Sequence, residues 1–362
     1  MLDLIRPEAA AAGPGALFRT DRQPCHRGFG IETAAGPSGP MPVETDCPVA
    51  TPFCTLLRFR CPGRRPRGRL LVVAPLSGHM PVLARDLVLA LLPSLDVCVT
   101  DWANVRHVPR AAGSLGLDGN IETVAAMAEW LGPGTAMLGL CQGGVAALGA
   151  AAWLEAERPA AAPPALVLMA APIDPTANLT RMNRLLRARP ERWFRETVIR
   201  AVPKEFEGRG REVYPATLQL AALRTYLLRH AIEGGEVSRK LAWDDGTDPM
   251  HFPFIDLFTA VMDLDARFFL ENTAEVFSKG GFLAGRVTVA GRPVEPRALS
   301  GVRLMTVEGE ADDVVAPGQT SAAHAVCARL SATARERLVL DRGGHFAIFH
   351  GARFRREVAP HV

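Results

Sequence analysis

Ala136-Met137-Leu138-Gly139-Leu140-Cys141-Gln142-Gly143-Gly144 is the stretch whose reading decides the fold of this chain. Its first five residues make a short apolar run, the pattern of a strand covered on both faces. Its last residues open a small-residue segment that continues to Leu154 and reads as a buried helix. Between the two stands G-x-C-x-G, from Gly139 to Gly143, a strand–turn–helix elbow with cysteine as the nucleophile. Glycines suit the flanks because the turn is strained and side chains two residues from Cys141 would crowd it. The competing reading is a structural cysteine in a glycine-rich turn.

The surrounding rhythm fits the elbow. Strand-like runs stand at 55–59, 69–74 and 96–100 before it, and at 165–170 after it, with helical stretches between them. Short, fully apolar strands alternating with helices predict a mostly parallel sheet covered on both faces. From about 175 to 285 the alternation breaks into a helical, aromatic-rich insertion. A hairpin around Gly291 closes it, and the strand pattern returns at 303–307 and 337–340. The organisation expected is an irregular lead-in over 1–50 and a single α/β domain over 51–362 that carries the insertion.

Composition limits the function classes. The chain has 362 residues, 48% hydrophobic and 22% charged, enough apolar content for a sizeable core. Forty-one basic and 38 acidic residues leave a net charge of +3 with no basic stripe, which argues against nucleic acid as a partner. Seven cysteines, at 25, 47, 54, 61, 98, 141 and 327, include no C-x-x-C pair. That pattern argues against a disulfide framework and a cysteine-based zinc site, and for a reducing compartment. The N-terminus lacks the layout of a signal peptide, and the apolar stretch 134–154 is too interrupted by glycine for a membrane span. A cytoplasmic location is the expectation.

Two loops complete the chemistry. The run 303–307 leads into Glu308-Gly309-Glu310-Ala311-Asp312-Asp313, and the run 337–340 leads into Gly343-Gly344-His345. Nucleophile, acid and base follow in the chain order of an α/β-hydrolase, 171 residues from Cys141 to Asp312 and 33 more to His345. The predicted catalytic residues are Cys141, Asp312 and His345, with Asp313 the alternative acid. The oxyanion hole expected is the backbone N–H of Gln142 with that of Leu76 or Ser77, from the loop after the 69–74 strand. His79, at the end of that loop, is a candidate to line the pocket. The remaining cysteines read as structural.

These residues resemble a known family, the intracellular polyhydroxyalkanoate (polyhydroxybutyrate) depolymerases, cysteine hydrolases of the α/β-hydrolase fold. The matching stretches include PFCTLLRF (52–59), VVAPLSGH (72–79), VTDWANVRHVP (99–109), FTAVMDLDARFFLENTAEVF (258–277), TVEGEADDVVAPGQTSAAH (306–324) and GGHFAIF (343–349). The resemblance runs in order over roughly residues 30 to 360. It implies that Cys141, Asp312 and His345 occupy the family's catalytic positions, that no cofactor is needed, and that the substrate is poly(3-hydroxybutyrate) or its oligomers at storage granules. Gly143 departs from the family, which usually has proline there. The GLCQG elbow is closer to that of the polyhydroxyalkanoate synthases. An acyltransferase of the synthase type, releasing CoA, and a non-catalytic granule-coating protein are therefore the competing functions.

Overall fold

The computed structural model describes residues 28–362. Residues 1–27 of the expected lead-in lie outside them. The main sheet has eight strands: β1 (Glu44–Ala50), β2 (Cys54–Arg60), β3 (Arg69–Val73), β4 (Asp96–Trp102), β5 (Thr135–Leu140), β6 (Ala165–Met169), β7 (Arg303–Gly309) and β8 (Arg335–Leu340). Their order across the sheet is β8-β7-β6-β5-β3-β4-β2-β1. Strands β3 to β8 run parallel, and β1 and β2 are antiparallel at one edge. This is an α/β-hydrolase fold, as expected. The irregular reading of 44–50 is corrected: this segment is the edge strand β1. Its residues alternate poorly, and a register irregularity between Asp46 and Val49 hides the strand from periodicity.

Helices α1 (Arg85–Leu91), α2 (Leu117–Leu131) and α3 (Gly143–Glu157) cover the sheet. Helix α3 is buried from Gly143 through Leu154, so no face of it needs to be polar. Its small residues allow close approach: a Cβ on Gly149 would stand 2.9 Å from Ile121 of α2. Strand β5 lies between β3 and β6 with Val73 opposite Gly139 and Leu140 opposite Met169. At the far side Gly309 pairs with Leu340. The C-terminal ends of these strands therefore share one edge, where ligands bind in open α/β sheets.

Residues 175–285 contribute α4 (Arg181–Arg187), α5 (Glu191–Thr197), α6 (Ala216–Glu233), α7 (Glu236–Ala242), α8 (Phe254–Thr259) and α9 (Ala266–Asn272). They also contain a small antiparallel sheet of Arg200–Ala201, Glu212–Tyr214 and Leu264–Asp265, where only helices were expected. Strands of two or three residues leave no periodic signal, and their partners are distant in sequence. A second apolar cluster, including Phe194, Val198, Val213, Leu218 and Leu270, packs under this segment. Of two buried ion pairs, one joins it to the chain around 105–115 and the other lies within it. Arg106 donates to both oxygens of Asp263 at 2.8 and 2.9 Å, and Arg211 donates to Asp265 at 3.0 Å. Asp263 also accepts the Ala216 N–H at 2.7 Å, so its buried charge is fully hydrogen-bonded.

Candidate active site

The elbow begins where β5 ends. Cys141 has φ of 51°, the left-handed region that side chains other than glycine rarely enter, and its N–H donates to Met169 O at 2.8 Å. The glycines around it are dictated by packing more than by crowding of the nucleophile itself. A Cβ on Gly139 would stand 2.4 Å from the Gly144 Cα, and one on Gly143 would stand 2.3 Å from the Val73 carbonyl oxygen at the end of β3. The turn can close only because the next strand and the helix start are allowed to touch it. Cys141 is partly accessible, and the backbone N–H groups of Gln142 and Gly143, at the start of the fifteen-residue α3, have no intrahelical partner.

The loops after β7 and β8 meet the elbow. His345 Nδ1–H donates to Asp312 Oδ2 at 2.8 Å, with both side chains buried. Asp312 Oδ1 accepts the N–H groups of Val314 and Val315, each at 2.8 Å, which locks the carboxylate in position. Burial works against a charged His345 ring. The Asp312 carboxylate, the Cys141 sulfur and a hydrogen bond to each outweigh it and hold the imidazole well above its ordinary range. Phe346 and Phe349 stand edge-on to the ring at 5.3 and 5.7 Å. Cys141, Asp312 and His345 are thus brought together. Asp313 points elsewhere: its Oδ1 accepts from the Tyr226 hydroxyl at 2.9 Å, and its Oδ2 is bound by Arg229 and by His230 Nε2.

The loop after β3 divides the two expected oxyanion donors. Leu76 N–H donates to Oε1 of the Gln142 side chain at 3.1 Å, so it is already engaged. Ser77 is exposed, and its N–H makes no hydrogen bond among the described residues. The Gln142 side chain continues the chain of bonds, its Nε2 donating to Asn272 Oδ1 at 3.3 Å.

Four tethers from the insertion hold these loops, and local sequence reading missed all of them. Asn272 reaches the elbow through Gln142. Tyr226, Arg229 and His230 of α6 hold Asp313, next to Asp312. Glu236 of α7 accepts the N–H groups of Phe346 at 3.1 Å and Ala347 at 2.6 Å, just after His345. The segment after α8 pairs with the loop after β3, Met80 N–H donating to Ala260 O and Met262 N–H to Gly78 O, both at 2.8 Å. One signal was Gly344, since a Cβ there would lie 2.2 Å from a Glu236 carboxylate oxygen.

Among the remaining described cysteines, Cys54, Cys61, Cys98 and Cys327 are buried. Cys47 is exposed on β1, so the structural reading does not hold for it, and Cys25 lies outside the described residues. No helix among the described residues is long and apolar enough to cross a membrane.

A family model described as PHB de-polymerase C-terminus matches residues 170–362, just over half of the chain. The match takes in the insertion, the acid loop and the histidine loop and begins after the elbow. No curated protein matches the chain. Among solved structures, an alpha/beta hydrolase fold protein from Nakamurella multipartita is 17% identical over 91% of this chain and 98% of that one, with a TM-score of 0.44. A putative lipase from Acinetobacter baumannii is 13% identical over 88% and 87%, with a TM-score of 0.41. A soluble variant of monoglyceride lipase from Saccharomyces cerevisiae is 10% identical over 86% and 90%, with a TM-score of 0.46.

Proposed function

The chain belongs to the PHB de-polymerase C-terminus family, which supports ester hydrolysis, and from that premise we propose that it cleaves poly(3-hydroxybutyrate) or its oligomers through a Cys141–His345–Asp312 triad. The observation that carries the reading is the placement of the His345 imidazole, hydrogen-bonded to Asp312 on one side and to Cys141 on the other. Such a ring is placed to take the thiol proton as Cys141 becomes the nucleophile.

In the reaction, the Cys141 thiolate attacks the ester carbonyl carbon. A C–S bond forms and the carbonyl π electrons move to oxygen. The N–H groups of Gln142 and Ser77 hold that oxyanion. Its collapse breaks the C–O bond, and the departing alkoxide takes the proton from His345 Nε2. The neutral ring then removes a proton from water as the hydroxide adds to the thioester. Collapse of this second intermediate expels the thiolate and releases the acid. One ester and one water become one acid and one alcohol, with the enzyme restored. Asp312 keeps Nδ1–H directed at itself throughout and stabilises the imidazolium.

Association with a polymer surface rests on a different feature. Ile232 (86% exposed) of α6 and Trp243 (80%) and Met250 (87%) after α7 stand exposed, as do Leu228 of α6 and Leu241 of α7. Exposed apolar side chains at this density in one segment suit contact with an apolar polyester.

The test is Cys141→Ala and the wild type on amorphous poly(3-hydroxybutyrate) granules and soluble oligomers, following 3-hydroxybutyrate. Loss of release in the variant is expected, and full retention overturns the nucleophile assignment. Trp243→Asp with Ile232→Asp is expected to lower granule binding more than oligomer cleavage.

A further inference from the structure

His79 closes the loop that carries the Ser77 amide, and the scheme above gives it no task. Its backbone forms an antiparallel bridge with Val261, so its position is fixed from the insertion side. Its ring packs against Phe258 at 5.7 Å, and Phe258 meets Phe346, the residue after His345, at 5.4 Å. The imidazole lies near enough to His345 for the two rings to interact electrostatically. Its Nε2 is buried and has no hydrogen-bond partner among the described residues. The ring's hydrogen bond goes to the Phe258 backbone, so the proton sits on Nδ1 and Nε2 presents a bare lone pair. Burial, aided by the charge of His345, holds the ring down at about 4, which keeps it neutral at working pH. A buried acceptor left empty is costly, and an empty one beside a reaction centre calls for a ligand with a donor.

Resting on the ester-hydrolase reading, we propose that His79 Nε2 accepts a hydrogen bond from the 3-hydroxyl of the acyl group held on Cys141. The interior of a polyester offers only carbonyl and ester oxygens, all acceptors. Its one neutral donor near a scissile bond is the hydroxyl that ends the chain. That hydroxyl belongs to the acyl half of the terminal ester, two carbons from the carbonyl carbon. His79 thereby selects hydroxyacyl over plain acyl groups and directs cleavage to the hydroxyl end of oligomers, one hydroxy acid at a time.

The experiment compares 4-nitrophenyl 3-hydroxybutanoate with 4-nitrophenyl butanoate. The wild type is expected to favour the hydroxy ester in kcat/KM by about tenfold, the scale of one buried hydrogen bond. His79→Leu is expected to bring the ratio near one, and His79→Gln, which keeps an acceptor, to restore most of it. A second measurement needs no variant: acetylating the hydroxyl end of a soluble oligomer should slow the wild type by about tenfold. Cleavage of both esters at equal kcat/KM by the wild type overturns this proposal alone. Cleavage of neither overturns the hydrolase reading and this proposal with it. An unchanged ratio in folded His79→Leu also overturns it.

Discussion

The side chain of Gln142 accepts the Leu76 N–H at 3.1 Å, tying the residue after Cys141 to the loop that follows β3. In the proposed mechanism one residue thus offers its backbone N–H to the oxyanion and uses its side chain to set where the second donor stands. Gln142→Leu keeps the first and removes the second, leaving the Leu76 N–H buried without a partner. We expect kcat on a soluble ester to fall by about 10²-fold, the scale of losing one oxyanion donor, with KM little changed. Steady-state kinetics checks this, and an unchanged kcat would show that the loop holds its place without Gln142.

The two adjacent acids separate cleanly by partner. Asp312→Asn removes the carboxylate from His345 Nδ1 and is expected to lower kcat by about 10³–10⁴-fold while the fold persists. Asp313→Asn loosens the Tyr226 and Arg229 contacts and is expected to lower kcat less than about tenfold and to reduce Tm. Kinetics and thermal unfolding of both variants decide the point. The reverse order of effects would make Asp313 the acid.

Thiol chemistry offers a third check. Burial pushes the thiols of Cys98 and Cys327 up to about 12 and that of Cys54 well above its ordinary range. Cys141 is partly accessible and paired with His345. Iodoacetamide at pH 7 is expected to modify Cys141 first, at least about tenfold faster than those three, with activity lost in step. Peptide mapping by mass spectrometry gives the order. Modification of Cys98 or Cys327 at the same rate would contradict it.

Acid should destabilise the chain through two buried neutral histidines. Burial, reinforced at His350 by Lys240, lowers His79 and His350 to about 4 from an unfolded value of 6.5. Between about pH 6.5 and 4 the unfolded chain binds these protons and the folded chain does not, so stability falls as pH falls, by up to about 1.4 kcal/mol per pH unit per proton. Asp101 acts with the opposite sign, because burial raises it to about 6 and the folded chain takes up its proton first. His350→Gln is expected to flatten the fall, and Asp101→Asn to steepen it between pH 6 and 4. Urea unfolding over that range measures both slopes.

Sheet and elbow were legible because they are local. An apolar run of five or six residues declares a buried strand, and Gly139 and Gly143 declare a turn that admits no Cβ. The order Cys141, Asp312, His345 follows from which strand each one ends. Strand β1 escaped because its register irregularity breaks the alternation, and the short strands at 200–201, 212–214 and 264–265 have no period to detect.

By itself, the sequence determined the parallel core, the elbow and the three side chains that the strand ends present, since backbone geometry and apolar pattern are properties of neighbouring residues. Tertiary structure decided which acid faces His345, which amide beside the elbow stays open, and that α6, α7 and the segment around α8 and α9 grip the loops around Cys141. Those outcomes depend on hydrogen bonds between groups far apart in sequence, from His345 with Asp312, 33 residues apart, to Gln142 with Asn272, 130 residues apart, and beyond. Such partners are chosen by packing, and nothing in their local sequence marks them.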